Sequence, residues 1–99
     1  MPALLPREEI DRALAGDLSA WWLAGDGNAI TREVRASSFL KGIALVQRVA
    51  EAAESMNHHP DIDIRYTTLT FTLSTHSAGG LTSYDLELAG KIDGLAQEA

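Results

Sequence analysis

The sequence predicts an α+β fold, a four-stranded antiparallel sheet with three helices packed on one face, in the order α-β-β-α-β-β-α. The antiparallel sheet is predicted because the chain contains two pairs of strand-like segments, each pair with a turn signal between its members. The helices are predicted because apolar residues before, between and after these pairs recur at helical spacing. The 99 residues, 45% of them hydrophobic, fit one domain spanning residues 1–99.

A short helix and a hairpin open the chain. The helix is predicted over residues 6–16, because proline is tolerated at a helix start, two glutamates favour the first turn and a glycine ends it. Strands are predicted over residues 21–24 and 29–35. The glycine- and asparagine-containing segment 25–28 between them favours a hairpin turn.

The longest helix is predicted to begin after Ser37 or Ser38, either of which can cap it. The apolar residues expected to face the core are Phe39, Ile43, Val46, Ala50 and Ala53. Its end is expected at Asn57, which tolerates a left-handed conformation, and Pro60 disfavours a helical conformation at His59. Two adjacent histidines therefore lie where the helix stops.

A second strand pair follows this helix. The large alternating side chains are Ile62, Ile64 and Tyr66 at even positions and Leu69, Phe71 and Leu73 at odd positions. One continuous strand would put half of them on the wrong face, so a turn is predicted around residues 67–68. If the second strand extends far enough, His76 lies on its polar face.

A loop and a helix close the chain. The loop is predicted over residues 77–81, which contain two adjacent glycines. The apolar stripe of the last helix consists of Tyr84, Leu88, Ile92 and Leu95. Thr82 and Asp85 have the spacing of a capping box at its start.

Composition excludes several classes of function. A formal charge of −6 with scattered Lys and Arg residues argues against direct binding of DNA or RNA. The absence of cysteine excludes thiolate ligands, cysteine nucleophiles and disulfides. No apolar run is long enough to span a bilayer, and the first residues lack a signal sequence, so we expect a cytoplasmic protein.

All the histidines of the chain are His58, His59 and His76. Histidine can both give and take a proton near neutral pH, so such a concentration favours proton-transfer chemistry. A histidine pair beside proline is also common in solvent-exposed loops, and the pair alone does not establish a site.

The spacing around the histidines is more specific. Glu54 is followed after three residues by His58-His59-Pro60, after five more by Tyr66, after nine by His76 and after eight by Asp85. This ordered set resembles the signature of the pterin-4a-carbinolamine dehydratases at every position. Segments 56–62 and 75–82 also look like those of bacterial members.

The resemblance implies a hydro-lyase that removes water from 4a-hydroxytetrahydropterin, giving quinonoid dihydropterin, without metal or other cofactor. The catalytic residues it implies are His58, His59 and His76. The substrate contacts it implies are His58, His59, Pro60, Thr75, His76, Ser77 and Ala78. The residues expected to support the site are Glu54, Asp85, Trp22 and Tyr66. Tyr66 is expected in the core or in the pocket wall. Trp22 is expected in the pocket or at a subunit interface, with plain partial burial as the alternative.

The resemblance also implies partners and leaves alternatives open. Family members form homodimers or homotetramers, and their pterin substrate links them to aromatic amino-acid hydroxylases. Other proteins of this fold are transcriptional dimerisation cofactors or assembly factors, so a non-enzymatic binding module is one alternative. A metal site of three histidines and Asp85 is another, although adjacent histidines in an extended chain cannot easily bind one ion.

Overall fold

Helices and strands follow one another in the predicted α-β-β-α-β-β-α order over residues 2–99, which the computed structural model describes. The elements are α1 (Arg7–Ala15), β1 (Trp22–Ala24), β2 (Ala29–Arg35), α2 (Phe39–Met56), β3 (Asp61–Arg65), β4 (Thr68–Leu73), a 3-10 helix (His76–Ala78) and α3 (Ser83–Ala96). The predicted fold class is confirmed. Within these residues no helix is both long and apolar enough to cross a membrane.

The four strands form one antiparallel sheet in the order β1-β2-β4-β3. Strand β4 lies in the centre, and its residues Leu69, Phe71 and Leu73 are fully buried. The alternating residues Thr70 and Thr72 lie on the other face and are half-buried. The period of two therefore directs one apolar face toward the helices and leaves a threonine-rich face open.

The β3–β4 connection is a two-residue turn at Tyr66 and Thr67, because Arg65 pairs with Thr68. The turn was predicted one residue later. Tyr66 has left the strand, adopts a left-handed φ of 54° and is 76% exposed. The expectation that Tyr66 lies in the core is wrong, because the turn removes it from the alternation.

Helix α2 is rotated relative to the predicted core face, although the predicted residue Ala53 is buried and Val46 packs against the core. Its buried residues are Gly42, Leu45, Val49 and Ala53, whereas Phe39 and Ile43 are exposed. Apolar residues occur on most of this helix, so periodicity alone did not fix its rotation. A Cβ at Gly42 would lie 3.4 Å from Ala36 Cβ and 3.6 Å from Leu69, so glycine lets the helix approach the sheet closely on this side.

The end of α2 is confirmed at Asn57, which has a left-handed φ of 51°. Its backbone N–H donates to the carbonyls of Ala53 and Glu54, and the N–H of His58 also donates to the Ala53 carbonyl. These hydrogen bonds close the last turn and direct the chain out of the helix.

Helix α3 begins with the predicted capping box and packs against the first hairpin. The Thr82 side chain caps the helix, and the Asp85 side chain accepts from the Thr82 backbone N–H. Farther along, Asp93 accepts hydrogen bonds from Trp21 Nε1 and from Arg32. The contact with Asp93 explains how the charged Arg32 is accommodated on the core face of β2. Of the apolar stripe, Leu88 and Ile92 are fully buried, whereas Tyr84 is 42% exposed.

The segment after β4 does not continue the strand. Strand β4 ends at Leu73, and Thr75 forms an isolated bridge with Gly80. Between them, His76 begins the 3-10 helix, which Gly79 closes with a left-handed φ of 79°. The strand therefore does not extend to His76, and the condition for placing His76 on its polar face is not met.

Candidate active site

The sheet topology brings the two histidine segments to the same end of the fold. His58-His59-Pro60 immediately precedes β3, and Thr75-His76 follows β4 after one intervening residue. Strands β3 and β4 are antiparallel neighbours, with Asp61 paired with Thr72. The start of one strand and the end of the other therefore lie side by side.

His58 occupies the buried part of this region. Only 9% of its side chain is exposed, and its Nε2 lies 2.6 Å from Asp85 Oδ1. Asp85 itself is fully buried in the first turn of α3. A carboxylate so far from solvent needs hydrogen-bond donors around it.

Those donors come from the loop before α3 as well as from His58. Asp85 Oδ2 accepts from the Thr75 hydroxyl at 2.7 Å and from the Thr82 backbone N–H at 2.9 Å. The hydroxyls of Thr75 and Thr82 are 2.8 Å apart, and the Tyr84 backbone N–H donates to Thr82 Oγ1 at 3.3 Å. Both threonines are buried. One carboxylate thus ties the end of α2 to the loop that carries His76.

His59 points into more open surroundings. Its Nε2 lies 2.5 Å from Glu54 Oε2, and the two side chains are 54% and 75% exposed. The structure therefore places Glu54 against His59 and Asp85 against His58. Pro60 is half-buried and leads directly into β3.

His76 is exposed at the start of the 3-10 helix, next to Thr75. The Thr75 carbonyl accepts hydrogen bonds from the N–H groups of Ala78, Gly79 and Gly80, at 3.0 to 3.3 Å. This compact turn fixes the backbone on which His76 stands. Ser77 is exposed and Ala78 is half-buried in the same turn.

Two further predicted supporting residues, Tyr66 and Trp22, lie at the two edges of the sheet. Tyr66 follows the last residue of β3, and a strand that rises about 3.3 Å per residue places it about 17 Å from Asp61, the first residue of β3. Trp22 is 49% exposed on edge strand β1 and pairs with Thr31 on the open face of the sheet. Through Thr31 and Thr72, Trp22 is in register with Asp61, the residue after Pro60, so its place in the site stays a prediction.

Two residues that sequence reasoning did not assign to the site belong to it. Thr82 was predicted as a helix cap, and it also contacts Thr75 in the buried network. Tyr84 was assigned to the core stripe, but its ring centroid lies 5.7 Å from that of His58, at an interplanar angle of 57°. The capping-box spacing was the sequence signal for Thr82; Tyr84 had no comparable signal.

Cleft shape does not identify this site. A cleft of about 570 Å³ lies between α1 and α3, and its lining includes Arg12, Leu18 and Glu87 but no histidine. A smaller cleft of about 240 Å³ borders Gly79 and Gly80, beyond the His76 turn. We identify the site from its hydrogen-bonded residues, because neither cleft is lined by a histidine.

Among the described residues, 2–99, no group of three or more histidine, aspartate and glutamate side chains is arranged to hold a metal ion. His58 Nε2 and Asp85 Oδ1 are instead bonded to each other. The chemistry that this arrangement offers is proton transfer by imidazoles, one of them buried and oriented by a carboxylate.

Comparison with known proteins adds a family to this geometry. The sequence profile described as pterin 4 alpha carbinolamine dehydratase matches residues 3–95. A Nocardia farcinica protein provisionally named a pterin-4-alpha-carbinolamine dehydratase is 61% identical over 94 residues, covering 95% of this chain and 96% of the relative. A Mycolicibacterium vanbaalenii protein with the same provisional name is 54% identical over 93 residues, covering 94% and 97%.

Solved structures show the same fold. The crystal structure of a transcriptional coactivator/pterin dehydratase from Brucella melitensis superposes with a TM-score of 0.88 at 31% identity, covering 94% of this chain and 98% of that one. A pterin dehydratase-like protein described as a RuBisCO assembly factor in the alpha-carboxysome gives a TM-score of 0.68 at 21% identity, covering 81% and 93%. The second likeness supports the fold alone.

Proposed function

Because the chain belongs to the pterin-4-alpha-carbinolamine dehydratase family, we propose that it is a dehydratase that removes water from 4a-hydroxytetrahydropterin. The observation that carries the proposal is the buried His58–Asp85 pair, at 2.6 Å, beside two more accessible histidines. A flat heterocycle that must lose a hydroxyl group and a proton needs an acid and a base near one another. Three histidines at one end of the sheet supply both.

The reaction balances without an external redox partner. The bond from C4a to the hydroxyl oxygen breaks, and its electron pair leaves with the oxygen, which takes one proton to become water. The neighbouring ring nitrogen loses one proton, and the electron pair of that N–H bond forms the new double bond between the nitrogen and C4a. The products are water and quinonoid dihydropterin, as pterin recycling after aromatic amino-acid hydroxylation requires.

We assign the proton transfers to His58, His59 and His76. His58 is buried and oriented, which suits a group that must hold one direction toward the substrate. His59 and His76 are exposed, so substrate and water can reach them. Substrate contacts from Pro60, Ser77 and Ala78 belong to the same proposal, since these residues adjoin the histidines in sequence.

The deciding experiment generates the 4a-hydroxy pterin and follows its dehydration by ultraviolet absorbance. We expect the protein to accelerate the reaction, and His58→Ala, His59→Ala or His76→Ala to lower the rate by about 10²–10⁴-fold. Gln47→Ala is the control, because Gln47 is an exposed residue of α2 and should leave the rate unchanged. A wild-type rate equal to that in buffer would contradict the proposal and favour a non-enzymatic binding role.

The proposed mechanism uses no metal and no further cofactor. Elimination of water changes no oxidation state overall, and imidazoles can carry both protons. The measurement is the zinc content of the dialysed protein. Stoichiometric zinc that is needed for activity would contradict this part of the proposal. A cytoplasmic location and a link to a hydroxylase stay predictions.

We also propose that the protein forms a homo-oligomer through the edge strand β3. Ile64 on this strand is 42% exposed, and the edge presents unpaired backbone groups. Antiparallel pairing with a second copy about Asp63 would form two Asp61–Arg65 pairs between the copies, against one pair of like charges where the two Asp63 side chains meet, so opposite charges outnumber like charges in the contact.

Light scattering coupled to gel filtration tests the oligomer. Arg65→Asp should lower the measured mass, because it places like charges opposite each other. Adding Asp61→Arg to that variant should restore the mass by reversing both charges. A wild-type monomer at micromolar concentration would contradict the proposal.

A further inference from the structure

We infer that the buried hydrogen bonds from Thr82 through Thr75 to Asp85 fix the tautomer of His58, so that Nδ1 is the atom that exchanges protons with the substrate. Thr82 is then a positioning residue for the reaction, in addition to capping α3. This inference rests on the proposed dehydratase function for its kinetic consequences. Its structural content, the tautomer, can be measured without any substrate.

The direction of the chain follows from its ends. The Tyr84 backbone N–H can only donate, so Thr82 Oγ1 accepts this hydrogen bond. The Thr82 hydroxyl proton can then be donated to Thr75 Oγ1, 2.8 Å away. With that oxygen acting as acceptor, the Thr75 hydroxyl donates its own proton to Asp85 Oδ2 at 2.7 Å.

Asp85 is the acceptor at which all these hydrogen bonds end. Its Oδ2 receives two of them, from the Thr75 hydroxyl and the Thr82 N–H. An ionised carboxylate accepts and does not donate, so Oδ1 must also receive a proton donor. The group facing Oδ1 is His58 Nε2, at 2.6 Å. The His58 tautomer with a proton on Nε2 is therefore the one that fits.

This tautomer leaves Nδ1 for chemistry. Among the buried side-chain nitrogen and oxygen atoms of residues 2–99, Arg32 Nε is the one without a hydrogen-bond partner. His58 Nδ1 has no partner within the same residues, so it belongs to the small part of the ring that solvent reaches. In the neutral ring Nδ1 accepts a proton, and in the charged ring it donates one.

The chain keeps His58 in one orientation through both states. Nε2 keeps its proton and its hydrogen bond to Asp85 whether the ring is neutral or charged. Asp85 therefore stays an acceptor throughout and does not itself exchange a proton with the substrate. The Thr82 hydroxyl matters because it orients the Thr75 proton toward Asp85.

Nitrogen-15 NMR of the histidine rings tests the tautomer, at a pH where the imidazoles are neutral. We expect a protonated Nε2 and an unprotonated Nδ1 for His58 in the wild type, assigned by the loss of its signals in His58→Gln. A neutral His58 with the proton on Nδ1 would overturn the inference, whatever the enzymatic activity.

Variants at Thr82 test the positioning role. Thr82→Val keeps the shape and removes the hydroxyl, so the Thr75 proton can turn away from Asp85. A carboxyl group with fewer donors can itself carry a proton on Oδ1 and donate it to His58 Nε2. We therefore expect a mixture of His58 tautomers and a fall in kcat of about tenfold, with KM little changed. Thr82→Ser retains the hydroxyl and should restore both. An unchanged tautomer and kcat in Thr82→Val would overturn the role of Thr82.

Thr31→Val is the matched control. Thr31 is also buried, and its hydroxyl bonds to the Phe71 carbonyl and to Thr72 on the open face of the sheet. Its loss should lower stability without changing the tautomer of His58 or kcat. If Thr82→Val does not fold, Thr75→Val interrupts the same chain and gives the same two readouts.

The two proposals fail in different ways. A protein that does not accelerate dehydration but carries the Nε2-protonated His58 contradicts the proposed function and leaves the tautomer established. An active dehydratase with the other tautomer contradicts the inference and keeps the function.

Discussion

Replacing Asp85 with asparagine should leave the protein folded and remove most of its dehydratase activity. The asparagine oxygen can take the place of Oδ2 and accept from Thr75 and from the Thr82 N–H. The amide NH₂ then faces His58 Nε2, which must become an acceptor, so the ring proton moves to Nδ1. The neutral ring could no longer accept a proton at the atom that we assign to the substrate.

The expected loss of stability follows from the hydrogen bonds of Asp85. A hydrogen bond to a charged group contributes about 1.5–3 kcal/mol, and a neutral one about 0.5–1.5 kcal/mol. The two retained hydrogen bonds and the exchanged bond to His58 all lose the charge of the carboxylate, at about 1 kcal/mol each, so the loss would be about 3 kcal/mol together. A domain of this size has about 5–15 kcal/mol of stability, so Asp85→Asn should still fold.

Urea unfolding followed by tryptophan fluorescence checks the first half of the prediction. With a slope of about 2 kcal/mol per molar urea, the midpoint should fall by about 1.5 M. The dehydration assay checks the second half, and we expect a loss of about 10²–10⁴-fold. Asp93→Asn is the control, because Asp93 lies in the same helix but accepts from Trp21 and Arg32 instead.

The control should lose stability and keep its activity. If Asp85→Asn retained the wild-type rate, Asp85 would not orient His58 for catalysis. If Asp93→Asn lost as much activity as Asp85→Asn for the same loss of unfolding free energy, the effect of Asp85 would be structural only. Nitrogen-15 NMR would show whether the tautomer of His58 had changed.

Three further changes test the surroundings of the site. Asn57→Ala should lower the free energy of unfolding by about 1–2 kcal/mol in urea, because Asn57 is left-handed, whereas Asn57→Gly should cost little. Tyr66→Gly should remove the backbone strain of the left-handed φ at this position, because glycine adopts it freely. It should leave the dehydration rate unchanged, and a large loss of rate would place Tyr66 in the site. Glu54→Gln should lower kcat by less than about tenfold, because solvent screens the exposed pair of Glu54 and His59; a loss as large as that of His59→Ala would show otherwise.

The hairpins and the end of α2 could be predicted because local features determine them. The alternation on both sides of residues 67–68 changes parity, and this change forces a turn wherever the helices lie. Asn57 and Pro60 restrict their own backbone and that of their neighbours. The face of α2 could not be predicted in the same way, since it depends on how closely Gly42 approaches Leu69 across the core.

The members of the site could be predicted from spacing, but their pairing could not. Helical geometry would place Glu54 beside His58, four residues later. The left-handed Asn57 interrupts that geometry, and the structure pairs Glu54 with His59. Asp85 reaches His58 from α3, across 27 positions of sequence. This contact depends on the packing of α3 beside α2, which local sequence does not determine.

The capping box of α3 and the orientation of His58 use the same carboxylate. Asp85 Oδ2 accepts from the Thr82 N–H, as a capping residue does, and Oδ1 faces His58. A change at Asp85 or Thr82 must therefore alter the start of the helix and the histidine together. His59 and His76 are exposed and take no part in this cap. Their replacement should lower the dehydration rate with little loss of stability, so the ratio of the two effects distinguishes residues that transfer protons from residues that hold the site in place.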